Sequence, residues 1–198
     1  MLFPSTGFVL AGGKSSRMGT NKALLQLEGA TLVERTRDLL AKVCERVAIL
    51  GAPELYGHLG DCYPDIYTDC GPLAGIHAAL LNSQTTFNLI TAVDTPFLGE
   101  DFLSYLLQRA SESAAVVTAP EIAGYVQPLC AVYSRDFLPV VEAALKGGRF
   151  KIVPLFAGVK TQVLTGAELG RFALESGMFD NLNTPEDYEN ARKRFSGG

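Results

Sequence analysis

Clustered positive charge is scarce in this chain of 198 residues. Seventeen Lys and Arg stand against 21 Asp and Glu, a formal net charge of −4, and no basic tail or basic helix face stands out. Sequence-independent binding to nucleic acid draws on clustered Lys and Arg, so the chain is not expected to bind nucleic acid. Cysteine is sparse too. Cys44, Cys62, Cys70 and Cys130 form no CxxC pair and no close Cys/His cluster. Neither a disulfide framework nor a structural zinc site is expected, and the four read as small core or near-surface thiols. No apolar run approaches the roughly 20 residues that span a bilayer. The opening Met-Leu-Phe-Pro-Ser-Thr-Gly lacks the basic and apolar regions of a signal peptide. The expectation is a cytoplasmic protein with no membrane partner. Internal repeats, low-complexity stretches and linkers are also missing, which suits one domain over residues 1–198.

What is present is a chain 47% hydrophobic and 19% charged, ordinary for a compact globular protein. Short apolar runs alternate with helical stripes. Phe8–Leu10, Val47–Leu50, Phe87–Val93, Ala115–Ala119 and Leu129–Tyr133 read as strands. Between them, stripes at helical spacing run through Leu32–Val43, Leu73–Leu81, Phe102–Ala110 and Phe137–Leu145. His77 lies on such a stripe and reads as a packed core histidine. Near the end, Thr184 is placed to cap a helix, Pro185 to open it and Asp187 to complete a capping box. The alternation predicts a three-layer α/β/α, Rossmann-like fold with a mainly parallel sheet. Ligands of such folds gather beyond the carboxyl ends of the strands. The loops after Leu10, Leu50, Tyr67 and Val93 are therefore the ones to search.

The first of these loops carries Gly12, Gly13, Lys14, Arg17, Gly19 and Lys22. Adjacent glycines let a ligand approach bare backbone N–H groups, which can cradle phosphate oxygens. Arg17 and Lys22 add cations, as transfer from a triphosphate requires. Five residues separate Gly13 from Gly19, and Thr20-Asn21 follows, so this is not a Walker A loop; GxGxxG is also missing. Asp94 follows a buried strand and precedes Thr95-Pro96. One carboxylate at that edge is enough to recruit a nucleotide-bound Mg²⁺, and it would equally serve as a turn residue ahead of Pro96.

Taken together, the motifs resemble those of the molybdenum cofactor guanylyltransferases, the MobA-like nucleotidyltransferases. Residues 10–22 read LAGGxSxRMGxxK. Asp69-Cys70-Gly71-Pro72-Leu73-Ala74-Gly75 is similar to the family's D…GPLAG segment, Asp94-Thr95-Pro96-Phe97-Leu98 to its strand-ending motif, Gln127-Pro128-Leu129 to its QPL segment and 181–187 to its NxNTPED ending. The segments occur in family order and span nearly the whole chain.

The resemblance implies transfer of GMP from GTP to the phosphate of molybdopterin, with Mg²⁺ and release of pyrophosphate. Leu10, Ala11, Gly12 and Gly13 would meet the nucleotide through backbone groups. Arg17, Lys22 and Asp94 would be the catalytic set, with Lys22 on phosphates and Asp94 as the metal ligand. Asp69 would hold the base or ribose, and Gly71 and Gly75 would allow a close backbone approach. Asn181 and Asn183 would face the pterin, although turn formation ahead of Pro185 explains them as well. Arg149 and Lys151 are further candidates for its phosphate, although a solvated helix start explains them equally well. Cofactor-delivery proteins and molybdoenzymes are the protein partners the resemblance implies. Gly51 stands where guanine-specific members often carry Asn. A molybdopterin cytidylyltransferase or another small-molecule nucleotidyltransferase is thus the first alternative, and a non-catalytic GTP-binding protein the second.

Overall fold

A computed structural model describes residues 2–12, 21–172 and 177–196. The chain begins with β1 (Phe3–Leu10), followed by a 3₁₀ turn at Lys22–Leu24. A small hairpin comes next, β2 (Gln26–Leu27) and β3 (Ala30–Thr31), then α1 (Leu32–Leu40), β4 (Cys44–Leu50) and the single-turn α2 (Pro53–Tyr56). β5 (Cys62–Tyr63), α3 (Pro72–Asn82), β6 (Phe87–Ala92) and α4 (Glu100–Ser113) complete the first half. The second half holds β7 (Val117–Ile122), β8 (Tyr125–Val126), β9 (Cys130–Ser134), α5 (Leu138–Lys146), β10 (Thr161–Leu164), α6 (Gly166–Leu169) and α7 (Pro185–Ser196).

The main sheet has the order β10-β7-β9-β6-β1-β4-β5, with β8 paired to β7. β1 is parallel to both β4 and β6, β4 to β5, and β10 to β7; β9 runs antiparallel between β6 and β7. The sheet is therefore mainly parallel, as predicted. β1 lies inside the sheet, between β6 and β4, and its side chains are buried on both faces. Val9 and Ala11 pack into one apolar cluster with Val33, Leu40, Leu103 and Leu106 of α1 and α4. Phe8 and Leu10 pack into the other with Leu73, Ile76 and Leu80 of α3. The period-2 alternation of a strand thus feeds two helical layers. Each fully buried Leu, Val or Phe contributes roughly 1.5–3 kcal/mol of transfer free energy.

Local chemistry fixes the helix starts. Thr31 and Glu34 form a reciprocal capping box at α1, Thr31 N donating to Glu34 Oε2 at 2.8 Å. Asp187 N donates to Thr184 Oγ1 at 3.1 Å and Thr184 N to Asp187 Oδ2 at 2.8 Å, so α7 starts where the sequence predicted. His77 is buried as expected, with its Nε2 3.5 Å from Glu142 and its ring edge-on to Tyr67.

The strands β2, β3, β8 and β10 are not among those expected from the sequence, and of the expected bounds those of β1 and β5 shift most. β1 starts at Phe3, five residues before the apolar run, because buried polar residues extend it; Thr6 Oγ1 lies 2.8 Å from Thr85 Oγ1. β5 ends at Tyr63 and not near Tyr67, since Pro64 has no N–H to continue the ladder.

Candidate active site

β1, β4, β5 and β6 are parallel, so their carboxyl ends share one edge of the sheet. The chain leaves β1 toward β4 on one side and returns to β6 on the other, a reversal of strand order that opens a crevice. Backbone bonds knit the edge together. Ala11 N and Gly12 N both donate to Leu50 O at 3.0 Å, Gly51 N donates to Tyr63 O at 3.0 Å, and Val93 N donates to Leu10 O at 3.4 Å. Gly12 is exposed at the mouth of this crevice, with Leu10 and Ala11 buried beneath it. Gly13 and Arg17 lie outside the described residues.

Lys22 opens the 3₁₀ turn that the Asn21 side chain caps, Ala23 N donating to Asn21 Oδ1 at 3.1 Å. From there its ammonium reaches across the crevice. Nζ stands 3.7 Å from Asp94 Oδ2 and donates to Asn183 Oδ1 at 3.1 Å. The Lys22 and Asp94 side chains are 17% and 27% exposed, recessed yet open to a ligand. Asp94 reaches this place because β6 ends at Ala92 in a turn, where Thr95 Oγ1 donates to Ala92 O at 3.2 Å. Residues from three distant parts of the chain, 22, 94 and 183, thus meet around one ammonium.

The C-terminal segment is bolted to the same edge. Leu182 N donates to Asp94 O at 2.9 Å, and the Leu182 side chain is buried. Anchoring Leu182 leaves its neighbours Asn181 and Asn183 exposed. Asn183 faces Lys22, while Asn181 lines a cleft of about 250 Å³ with Phe97, Asp187 and Arg194. Aromatic contacts hold α7 over the Asp94 turn: the Arg194 guanidinium lies 3.9 Å from the Phe97 ring centroid, and Phe97 stacks on Phe195. Tyr188 OH adds a bond to Gln26 O at 2.6 Å.

On the far side of Leu10, Gly71 precedes α3 with φ of 64°, the left-handed region that glycine enters without strain. Gly75, one turn on, packs against β1; a Cβ there would strike the Leu10 side chain. The close approach seen at Gly75 is therefore to the protein's own strand. Asp69 also has a positive φ, 58°, in the turn ahead of α3. The QPL segment flanks the β6 end, Ala92 N donating to Leu129 O at 2.9 Å. Arg149 and Lys151 are exposed beyond α5.

Asp65 is a carboxylate the sequence reading passed over. It lies two residues beyond β5, with Oδ1 3.8 Å from where a Gly75 Cβ would stand. The residue is exposed overall, yet desolvation pushes its carboxyl above the ordinary range, opposed by nearby His77. Its signal was the Pro64 that ends β5, hidden by placing the strand end at Tyr67.

Among the described residues no three His, Cys, Asp or Glu side chains cluster as a metal cage, and no helix is long and apolar enough to cross a membrane. Asp94 alone fits a Mg²⁺ held mainly by substrate phosphates, since that ion keeps oxygen ligands from substrate and water and needs only one or two carboxylates.

Comparisons with known proteins identify the family. Residues 7–155 match the model of the MobA-like NTP transferase domain. A probable molybdenum cofactor guanylyltransferase of Pelotomaculum thermopropionicum is 33% identical over 96% of this chain and 93% of its own length. A molybdenum cofactor guanylyltransferase of Desulfosudis oleivorans is also 33% identical, covering 98% and 96%. Among solved structures, the molybdopterin-guanine dinucleotide biosynthesis protein A of Archaeoglobus fulgidus superposes with a TM-score of 0.85 at 25% identity, over 98% of this chain and 100% of that one. The chain belongs to the MobA-like nucleotidyltransferase family, the molybdenum cofactor guanylyltransferases.

Proposed function

We propose that this protein transfers GMP from GTP to the phosphate of molybdopterin or its metal-bearing form, releasing pyrophosphate, in the cytoplasm. One observation carries the reading: Lys22, Asp94 and Asn183 converge at the switch point of the sheet, with Nζ 3.1 Å from Asn183 Oδ1 and 3.7 Å from Asp94 Oδ2. A cation for phosphate, a carboxylate for Mg²⁺ and an amide suited to a pterin edge are three parts that nucleotidyl transfer needs side by side.

GTP would lie across Leu10–Gly13 with its phosphates toward Lys22 and Arg17, and with Asp69 and Gly71 on the base and ribose side. Asp65 shares that side, and a carboxylate can accept the adjacent N–H donors of guanine. The pterin would take Asn181 and Asn183. An oxygen of its phosphate monoester attacks the α-phosphorus, and the bond to the β-phosphate oxygen breaks. The monoester's second pKa is about 6, so it attacks as a dianion and needs no protein base. Lys22 and Arg17 offset charge on the departing pyrophosphate, while the Leu182–Asp94 backbone bond holds the acceptor loop in register with the donor. When bound, Mg²⁺ would supply charge neutralisation at the phosphates, held by Asp94.

The names of the relatives favour guanine over cytosine. The deciding experiment supplies protein, Mg²⁺ and molybdopterin with each of the four nucleoside triphosphates and identifies the product by mass. A guanine dinucleotide with stoichiometric pyrophosphate is expected. Product from CTP alone would reassign the chain as a cytidylyltransferase, and GTP binding without product would leave a binding protein.

A further inference from the structure

We infer that Tyr56 is a positioning residue for the triphosphate, its hydroxyl tying together Ala11 and Asn21 on either side of the glycine-rich segment. The inference rests on the proposed use of Lys22 as a phosphate ligand. Tyr56 ends α2 and is only 2% exposed, yet its ring contributes more than apolar packing. The hydroxyl accepts from Asn21 Nδ2 at 2.8 Å and faces two acceptors for its own proton, Asn21 Oδ1 at 3.2 Å and Ala11 O at 3.5 Å. Asn21 Oδ1 also accepts from Ala23 N at 3.1 Å and keeps a second lone pair, so the phenol proton is shared between Asn21 and Ala11. Desolvation raises the Tyr56 phenol above its ordinary value, so it keeps the proton it donates.

The two partners differ in kind. Ala11 is fixed to the sheet through Leu50 O. Asn21 caps the turn that aims Lys22. One phenol therefore references the Lys22 turn to the end of β1, from a residue outside the proposed substrate contacts. Gly51 is part of the device: a Cβ there would come within 2.8 Å of Tyr56 Cε2 and 2.9 Å of Cδ2. The missing side chain at Gly51 leaves the space the Tyr56 ring occupies. Any larger residue at 51 displaces the ring and with it the hydroxyl.

Tyr56→Phe keeps the ring and removes only the hydroxyl, so it isolates the tie from folding. The expected result is a KM for GTP raised about three- to tenfold, the scale of one hydrogen bond, with kcat and the acceptor KM unchanged and the Ala23 amide exchanging faster. Asn21→Ala is expected to raise the same KM, and adding Tyr56→Phe to it to do no more. A GTP KM equal to wild type in Tyr56→Phe, or additive effects in the double variant, would overturn the assignment. Should the wild-type protein transfer no GMP, the proposed function fails, and Ala23 exchange together with GTP affinity in Tyr56→Phe still decides the tie: both unchanged overturns it, both altered upholds it.

Discussion

The Lys22 ammonium and the Asp94 carboxylate lie 3.7 Å apart although 71 positions separate them, and neither is fully exposed. A partly exposed pair of this kind adds about 1 kcal/mol or less to stability. Its value is therefore in the site. Asp94→Asn is expected to leave the thermal midpoint nearly unchanged and to lower kcat on the order of a hundredfold or more. Lys22→Ala is expected to raise the KM for GTP by about ten- to hundredfold, the cost of a charge-assisted bond. Steady-state kinetics beside a thermal melt check both; retained turnover in Asp94→Asn would remove the metal assignment.

Metal dependence follows from the same carboxylate. GMP transfer is expected to stop in excess chelator and to return with added Mg²⁺. Calorimetry should show that Mg²⁺ binds weakly without GTP, because one carboxylate makes a poor cage on its own.

Gly75→Ala tests the packing of α3 on β1. The new methyl would meet Leu10, and overpacking of this kind costs about 1–3 kcal/mol. Urea unfolding should show a lower midpoint at an unchanged slope. Unaltered stability would mean that α3 shifts freely at this point.

Asp187 links stability to pH. Its carboxyl is held below the ordinary 3.8, first by the Asn183 backbone N–H and then by the Thr184 side chain and backbone. A carboxyl with a lowered folded value stabilises fully above its unfolded pKa, and that contribution is lost as pH falls through the folded value. The melting-temperature gap between wild type and Asp187→Asn should thus be constant near neutrality and close below pH 3.8. A gap independent of pH down to acid unfolding would contradict the capping role.

Thiol labelling separates the four cysteines, all of them free. Cys44 and Cys130 are buried, and desolvation pushes the Cys44 thiol up to about 11 and raises that of Cys130 as well. Alkylation of the folded protein should modify Cys62 and Cys70, both partly exposed, and reach the other two only on unfolding.

Much of the edge that carries the site was legible because strand ends announce themselves chemically. Gly12 after Leu10 and Asp94-Thr95-Pro96 after Ala92 are residues that stop a buried strand. Asp65 was hidden because β5 is two residues long, too short for any periodicity to mark its end. Tyr56 was hidden because nothing local distinguishes a phenol that packs from one whose hydroxyl bridges two segments. The antiparallel β9 was likewise invisible, since strand direction leaves no trace in hydropathy.

Composition, periodicity and motif order by themselves determined the α/β class, the helical layers, the caps of α7 and the family. These depend on interactions within a few residues or on matched local patterns. Only the tertiary structure decided that Lys22, Asp94 and Asn183 share one point, that Leu182 fastens the C-terminal segment to the Asp94 turn, and that Tyr56 fills the space left by Gly51. Such distances are set by parallel register and by packing across the sheet, and those pairings bring together residues that the chain keeps far apart.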